Sequence, residues 1–270
     1  MIKLILSAPV PAMAEAFKRV FTDIEGVTVV SAPFETIPEF DCMVSAANSF
    51  GLMDGGVDAA ITAFFGMQLQ ARVQQHILRE YHGEQPVGTA FVIESGDSRH
   101  PYLVHAPTMR IPKIISGTDT VYQATWAALL AIHHHNRSAG NDKQIRSVVF
   151  PAMGAGCGQV PPDSVAKQMK LAWLNFINPA NAIDWNHASR REAQVFRTSA
   201  YCPPDGHCRN ADTRYIGQGE SSTTCLLTGA ACISKQHQAL WRSTETGSHN
   251  HSFGPAANIH TGQHNHGVKK

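Results

Sequence analysis

The chain has 270 residues, which at about 150 residues per domain frames one large domain, or one ordinary domain with a sizeable appendage. Hydrophobic residues make up 43% and charged residues only 16%, enough apolar material for a packed core and too little charge for a chain disordered throughout. Lys plus Arg (22) nearly cancels Asp plus Glu (21), so there is no overall field to hold a polyanion or an anionic membrane, and general nucleic-acid binding is disfavoured.

No segment approaches the ~18 consecutive apolar residues of a membrane span, the longest candidate being Ala127 to Ile132. The stretch Met1 to Val10 superficially resembles a signal peptide, but it is short for the apolar region of one, and Pro9 and Pro11 break its continuation. The chain therefore reads as soluble and cytoplasmic. Of the six cysteines, Cys42 and Cys157 lie far apart, whereas Cys202, Cys208, Cys225 and Cys232 cluster near the end; an even count permits disulfides without demanding them.

Periodicity predicts a buried strand over Ile2 to Leu6, a helix over Ala12 to Phe21, and strands over Val27 to Ser31 and Cys42 to Ser45. Helices are expected over Val57 to Phe64 and Met67 to Tyr81; in the second, Leu69, Val73, Ile77 and Tyr81 form one apolar stripe that Gly83 ends. Val87 to Glu94 and Tyr102 to Ala106 pair across the polar turn Ser95 to Arg99. Asp119 to His135 reads as a helix with Tyr122, Trp126, Leu129 and Ile132 inward. A strand over Ser147 to Phe150 runs into a glycine-rich loop, and Pro161, Pro162 and Asp163 start a helix that lasts to about Ile177. This alternation predicts an α/β fold, a three-layer α/β/α sandwich about a central mixed, largely parallel sheet. From about Asn186 apolar stretches become brief and Gly, Ser, Thr, His and Cys accumulate. A boundary near 180 to 188 thus separates a domain over 1–180 from a loop-rich, Cys/His-rich extension over 181–270.

In open sheets of this class, ligands bind beyond the carboxyl ends of the strands, where loops and helix N-termini present unpaired N–H groups. Two such loops stand out. The first, Ser45-Ala46-Ala47-Asn48 through Asp54-Gly55-Gly56-Val57-Asp58, has small residues that let a ligand approach the backbone, and Asn48 can both donate and accept hydrogen bonds. Asp58 falls in the first turn of the next helix, where the partial positive charge favours its ionised form; the alternative is simply a favourable helix-start residue. The second loop, Met153-Gly154-Ala155-Gly156-Cys157-Gly158, can cradle phosphate but fits neither the Walker A pattern nor the dinucleotide fingerprint, and a tight turn without a ligand would also explain it.

In combination, the two loops resemble the macro domain family of ADP-ribose-binding modules, with the likeness covering residues 1 to about 178. The family's strand ending in Asn-Ala-Ala-Asn, followed by a glycine cluster, Val and Asp, is matched by Ser45 to Asn48 and Gly55 to Asp58. Its strand, Pro and Gly-x-Gly loop is matched by Phe150-Pro151-Ala152-Met153-Gly154-Ala155-Gly156. The stretches Asn48 to Gly56 and Ala106 to Pro112 look like a bacterial and phage branch of that family.

The resemblance implies a ligand, ADP-ribose or an ADP-ribosylated molecule, and no required cofactor or metal. Amides near Gly55, Gly56 and Val57 and from Gly154 to Gly158 would wrap the diphosphate and terminal ribose. Asn48 and Asp58 would orient that ribose and position or activate a water, so that protein de-ADP-ribosylation or O-acetyl-ADP-ribose deacetylation are the implied reactions. Departures are Ser45 in place of the first Asn, the missing acidic segment that contacts adenine, for which Glu35 is the nearest substitute, and Gln159 and Val160 where an aromatic residue often follows the second loop.

Other features fit other roles. His133-His134-His135 reads as a surface helix end, and Cys157 as a backbone-shaping residue, since no paired His is identifiable. Cys202-Pro203-Pro204-Asp205-Gly206-His207-Cys208, with Cys225 and Cys232, offers zinc ligands, with loose thiols or a disulfide as the alternative. The pairs His249 with His251 and His264 with His266 resemble the iron-binding His-x-His tips of phage tail fibres, against a His-rich tail without metal. Three functions are compatible with these residues: an ADP-ribosyl hydrolase, a non-catalytic reader of ADP-ribosylated protein, and a phage-derived structural protein with a vestigial macro domain.

Overall fold

In the computed structural model, which describes residues 2–199, the apolar runs form strands β1 (Lys3–Ser7), β2 (Val27–Val30), β3 (Cys42–Ser45), β4 (Phe91–Glu94), β5 (Tyr102–His105) and β6 (Ser147–Phe150). Between them lie helices α1 (Pro11–Val20), α2 (Gly56–Phe65), α3 (Gln68–Tyr81) and α4 (Thr120–Ser138), and after the last strand come α5 (Pro162–Ile177) and α6 (Trp185–Ser199). The sheet order is β2-β1-β6-β3-β5-β4; every pairing is parallel except the edge hairpin of β4 with β5. This is the mixed, largely parallel sheet expected from the alternation of periods.

Strand alternation sorts side chains into two cores. Leu4, Leu6, Cys42, Val44, Tyr102, Val104, Val148 and Phe150 pack on one face with residues of α1, α4 and α5, such as Phe17, Leu129 and Trp173. Ile5, Met43, Leu103 and Val149 pack on the other with Ile61 of α2 and with Leu69, Val73 and Ile77 of α3. The central strand β3 is buried along its whole length, so its carboxyl end opens directly onto the loop after it. Burial also pushes the Cys42 thiol far above its ordinary range, which makes it an inert core residue.

Two elements differ from the sequence reading: β4 begins at Phe91, after the expected Val87, and a further helix, α6, follows α5. Trp126 is half-buried and packs against the core, as expected. It stacks near-parallel on Tyr122, with centroids 6.4 Å apart, and the Arg191 guanidinium lies 5.7 Å from its ring. Arg191 belongs to α6, which lies beyond the point where apolar periodicity fades. That helix is recognisable only through its packing, because Val195 is its one buried large apolar residue. Among the described residues, no helix is long and apolar enough to cross a membrane.

Candidate functional site

Strands β3 and β6 are neighbours, so the loops that leave their carboxyl ends emerge side by side. Beyond β3 the pairing with β5 continues in loosened form: Ala47 N–H donates to Ala106 O (3.2 Å), Thr108 N–H to Ala47 O (3.0 Å), and Asn48 bridges Met109. Ala46 and Ala47 are thus an extension of the sheet, not a free loop. Asn48 then turns the chain. Its Oδ1 accepts from Phe50 N–H (3.1 Å) and Leu52 N–H (3.3 Å), while its Nδ2 donates to Leu52 O (2.7 Å). Both lone pairs are committed inside the loop, which leaves Asn48 one N–H for a ligand and no free acceptor.

The far side of this loop is pinned from the helices. Gln70 Oε1 accepts from Met53 N–H (2.8 Å), and Thr62 Oγ1 donates to Met53 O (3.0 Å), with the Met53 side chain buried in the second core. Asp54, Gly55 and Gly56 are exposed, and a side chain added at Gly55 or Gly56 would meet nothing within 4 Å. Helix α2 starts here without a side-chain cap. The amides of Gly56, Val57 and Asp58 therefore keep the unpaired state of a helix N-terminus, with no acceptor among the described residues.

Asp58 does not lie on the exposed side of its turn. It is 5% exposed, and Ser45 Oγ, itself wholly buried, donates to Asp58 Oδ1 at 2.6 Å. Burial raises its carboxyl from 3.8 to about 6; the Ser45 hydroxyl pulls it down and neighbouring Asp54 pushes it up. The expectation that the helix N-terminus would favour the ionised form is thus corrected: desolvation outweighs it. Asp58 Oδ2 has no hydrogen-bond partner among the described residues.

In the second loop, Met153 turns inward and is fully buried, so only its backbone is available. Gly154 has a φ of +73°, a conformation that favours glycine. Gly158 packs so closely that an added Cβ would stand 2.4 Å from Gly154 O and 2.8 Å from Ile115. Short turns within the loop, Ala155 N–H to Ala152 O (3.2 Å) and Gln159 N–H to Gly156 O (2.9 Å), leave the amides of Gly154, Gly156, Cys157 and Gly158 without an acceptor among the described residues. Gly156 and Cys157 are exposed. Neither loop contains Lys or Arg. An anion here would meet neutral donors backed by two helix starts.

The remaining expected residues lie outside the two loops. Glu35 lies on the exposed 3-10 turn Phe34–Thr36 beyond β2, with no hydrogen bond or ion pair among the described residues. The His133 to His135 run closes α4, where His135 Nε2 meets Lys143 O at 2.9 Å. Among the described residues no group of three or more His, Cys, Asp or Glu could hold a metal. Cys202, Cys208, Cys225, Cys232 and the His249, His251, His264 and His266 pairs lie outside the described residues. Sequence reading missed Gln85 and His105, a fully buried pair beside the first loop. His105 immediately precedes the Ala106 to Pro112 segment singled out by resemblance; Gln85 is one polar residue among others in the polar turn after α3 and gives no signal.

The family model that matches this chain is that of the Macro domain, over residues 44–169, a span that contains both loops. An uncharacterized protein of Aquifex aeolicus is 32% identical over 129 residues, which are 48% of this chain and 70% of that protein. The O-acetyl-ADP-ribose deacetylase of Klebsiella pneumoniae is 28% identical over 165 residues, 60% of this chain and 89% of that protein. A structure of the Oceanobacillus iheyensis macrodomain with ADP is 18% identical, covers 60% of this chain and 86% of its own, and superposes with a TM-score of 0.45. The chain belongs to the macro domain family.

Proposed function

We propose that the chain binds ADP-ribose across the β3–α2 and β6–α5 loops and hydrolyses an ADP-ribosyl linkage there. The observation that carries this reading is the pair of adjacent, cation-free loops whose amides lack acceptors among the described residues. Amides of Gly154, Gly156, Cys157 and Gly158, with those of Gly55 to Asp58, take the diphosphate. Asn48 donates its remaining N–H to the terminal ribose. Glu35 is proposed for the adenine amino group. No cofactor takes part, and the free thiols at Cys42 and Cys157 suit a cytoplasmic setting.

In the reaction, Asp58 Oδ2 accepts a proton from a water whose oxygen bonds to the anomeric carbon or to the acyl carbon of the ester. The bond to the protein side chain or to the ribose oxygen breaks, and the leaving group takes up the proton that Asp58 accepted. A carboxyl that titrates at about 6 is largely ionised at neutral pH yet basic enough to assist. The name of the Klebsiella pneumoniae relative supports the ester version.

A second reading, a non-catalytic reader of ADP-ribosylated protein, is favoured by one feature: Asn48 has no acceptor left to orient a water. Calorimetric titration of the full chain with ADP-ribose, with AMP and ADP as controls, tests the binding. Saturable binding well above that of ADP is expected, and absence of heat with all three overturns both readings. Loss of turnover in Asp58→Ala beyond its loss of affinity then separates enzyme from reader.

A further inference from the structure

Gln85 sits in the turn after α3, is completely buried, and uses both polar atoms of its side chain and its backbone N–H. Its Oε1 accepts from His105 Nδ1 at 2.6 Å; its Nε2 donates to Thr89 Oγ1 (3.2 Å) and His105 O (3.4 Å). Its backbone N–H donates to Ser49 O at 2.9 Å, and Ser49 N–H in turn donates to Arg110 O at 3.1 Å. Ser49, the residue after Asn48, is thereby held from both sides. On the surface above, the Arg110 guanidinium pairs with the Glu84 carboxylate at 2.7 Å.

His105 completes the arrangement from beneath. It ends β5 directly opposite Ser45 in the parallel ladder, is stacked on Phe91 at 5.3 Å, and is kept neutral, with burial pushing its imidazole down to about 3. A neutral ring that donates from Nδ1 has one tautomer, so the Gln85 amide cannot flip without losing its bonds. The Ser49 hydroxyl and His105 Nε2 are buried without partners among the described residues. The Gln85 bonds are therefore what fixes this polar layer beneath the ligand loop.

We propose that Gln85 is a positioning residue: braced by His105, it sets the Asn48–Leu52 turn at the height where the Asn48 N–H meets the terminal ribose. The inference rests on the ADP-ribose reading above. A group that acts by placing Asn48 affects recognition of the terminal ribose and leaves the diphosphate contacts of the second loop alone. Gln85→Met keeps the side-chain length and removes both polar atoms.

Calorimetry on the full chain with ADP-ribose and with ADP is the test. Gln85→Met should weaken ADP-ribose binding about tenfold and ADP binding less than about twofold. Equal losses for the two ligands, or no loss for either, overturn the positioning role. Should Gln85→Met fail to fold, Thr89→Val removes one Gln85 partner at a half-buried position, with a smaller change in the same ratio expected and an unchanged ratio counting against the proposal. Wild-type chain that binds neither ligand overturns the ADP-ribose reading and this inference with it; binding that survives with an unshifted ratio overturns this inference alone.

Discussion

Ser45 donates to Asp58 across 2.6 Å in a region where both side chains are shielded from water. The two residues come from β3 and the first turn of α2, and the bond ties the strand end to the helix that carries the open amides. The chain has Ser where the family's usual tetrad has Asn, and the shorter side chain reaches the Asp58 carboxylate. The Ser45 hydroxyl proton is thus committed to Asp58.

Asp58 makes the fold pH-sensitive. Its native carboxyl titrates near 6 against 3.8 in water, so the folded chain holds the proton more tightly than the unfolded one. The contribution of Asp58 to stability is then fully present below about pH 4 and is lost as pH rises through 6, with a limiting cost of about 3 kcal/mol. Asp58→Asn, which still accepts from Ser45, removes that cost. Urea unfolding should show the variant more stable than wild type at pH 8 and equal to it near pH 4; parallel curves over that range would contradict the assignment.

The Ser45 hydroxyl acts in the opposite direction, by stabilising the carboxylate. Ser45→Ala removes a buried hydrogen bond to a charged group, worth about 1.5 to 3 kcal/mol. Asp58 should then titrate above its wild-type value of about 6. Carboxyl carbon NMR reads this directly, without any need for turnover. If the enzyme reading holds, the acid limb of the rate profile moves to higher pH by the same amount. An unmoved titration would mean that Ser45 packs against Asp58 without tuning it.

The second loop depends on close approach. In Gly158→Ala the new Cβ would lie 2.4 Å from Gly154 O, a backbone atom that cannot swing away. The loop has to open, carrying with it the amides proposed to hold the diphosphate. Binding of ADP and ADP-ribose should weaken together, by about tenfold or more. That pattern differs from the one expected of Gln85→Met, in which the terminal ribose is selectively affected. Unchanged affinity for ADP would remove the second loop from the binding surface.

Much of the fold was legible because its signals are local. The Cys42–Ser45 strand, the Leu69, Val73 and Ile77 stripe and the Pro-initiated α5 are each set by period, punctuation or capping within their own segment. The two loops were legible for the same reason. The features hidden from sequence depend on partners far away in the chain. The Ser45–Asp58 bond spans 13 positions and Gln85–His105 spans 20, and neither follows from the residues' types. Asn48 was visible as a polar group beside glycines, but its commitment to its own turn is a matter of backbone geometry. Helix α6 was missed because it is strongly polar overall and buries only one large apolar residue, so its apolar positions are too few to stand out.

That helix makes its own prediction. Arg191 Nη1 donates to Tyr122 Oη at 3.2 Å while its guanidinium lies over Trp126, and Val195 inserts into the core beside α5. A cation over an indole is worth about 0.5 to 1 kcal/mol at a half-exposed site. A double-mutant cycle with Arg191→Ala and Trp126→Ala should therefore show a coupling of about 0.5 to 1 kcal/mol in unfolding free energy, on top of the lost Tyr122 bond. Val195→Ala should cost about 1 kcal/mol independently, since it removes buried apolar groups at a different point of the same helix. Zero coupling between Arg191 and Trp126, with the Val195 cost intact, would mean that α6 docks through its apolar contact and the Tyr122 bond, and that the guanidinium over the Trp126 ring contributes nothing to holding it.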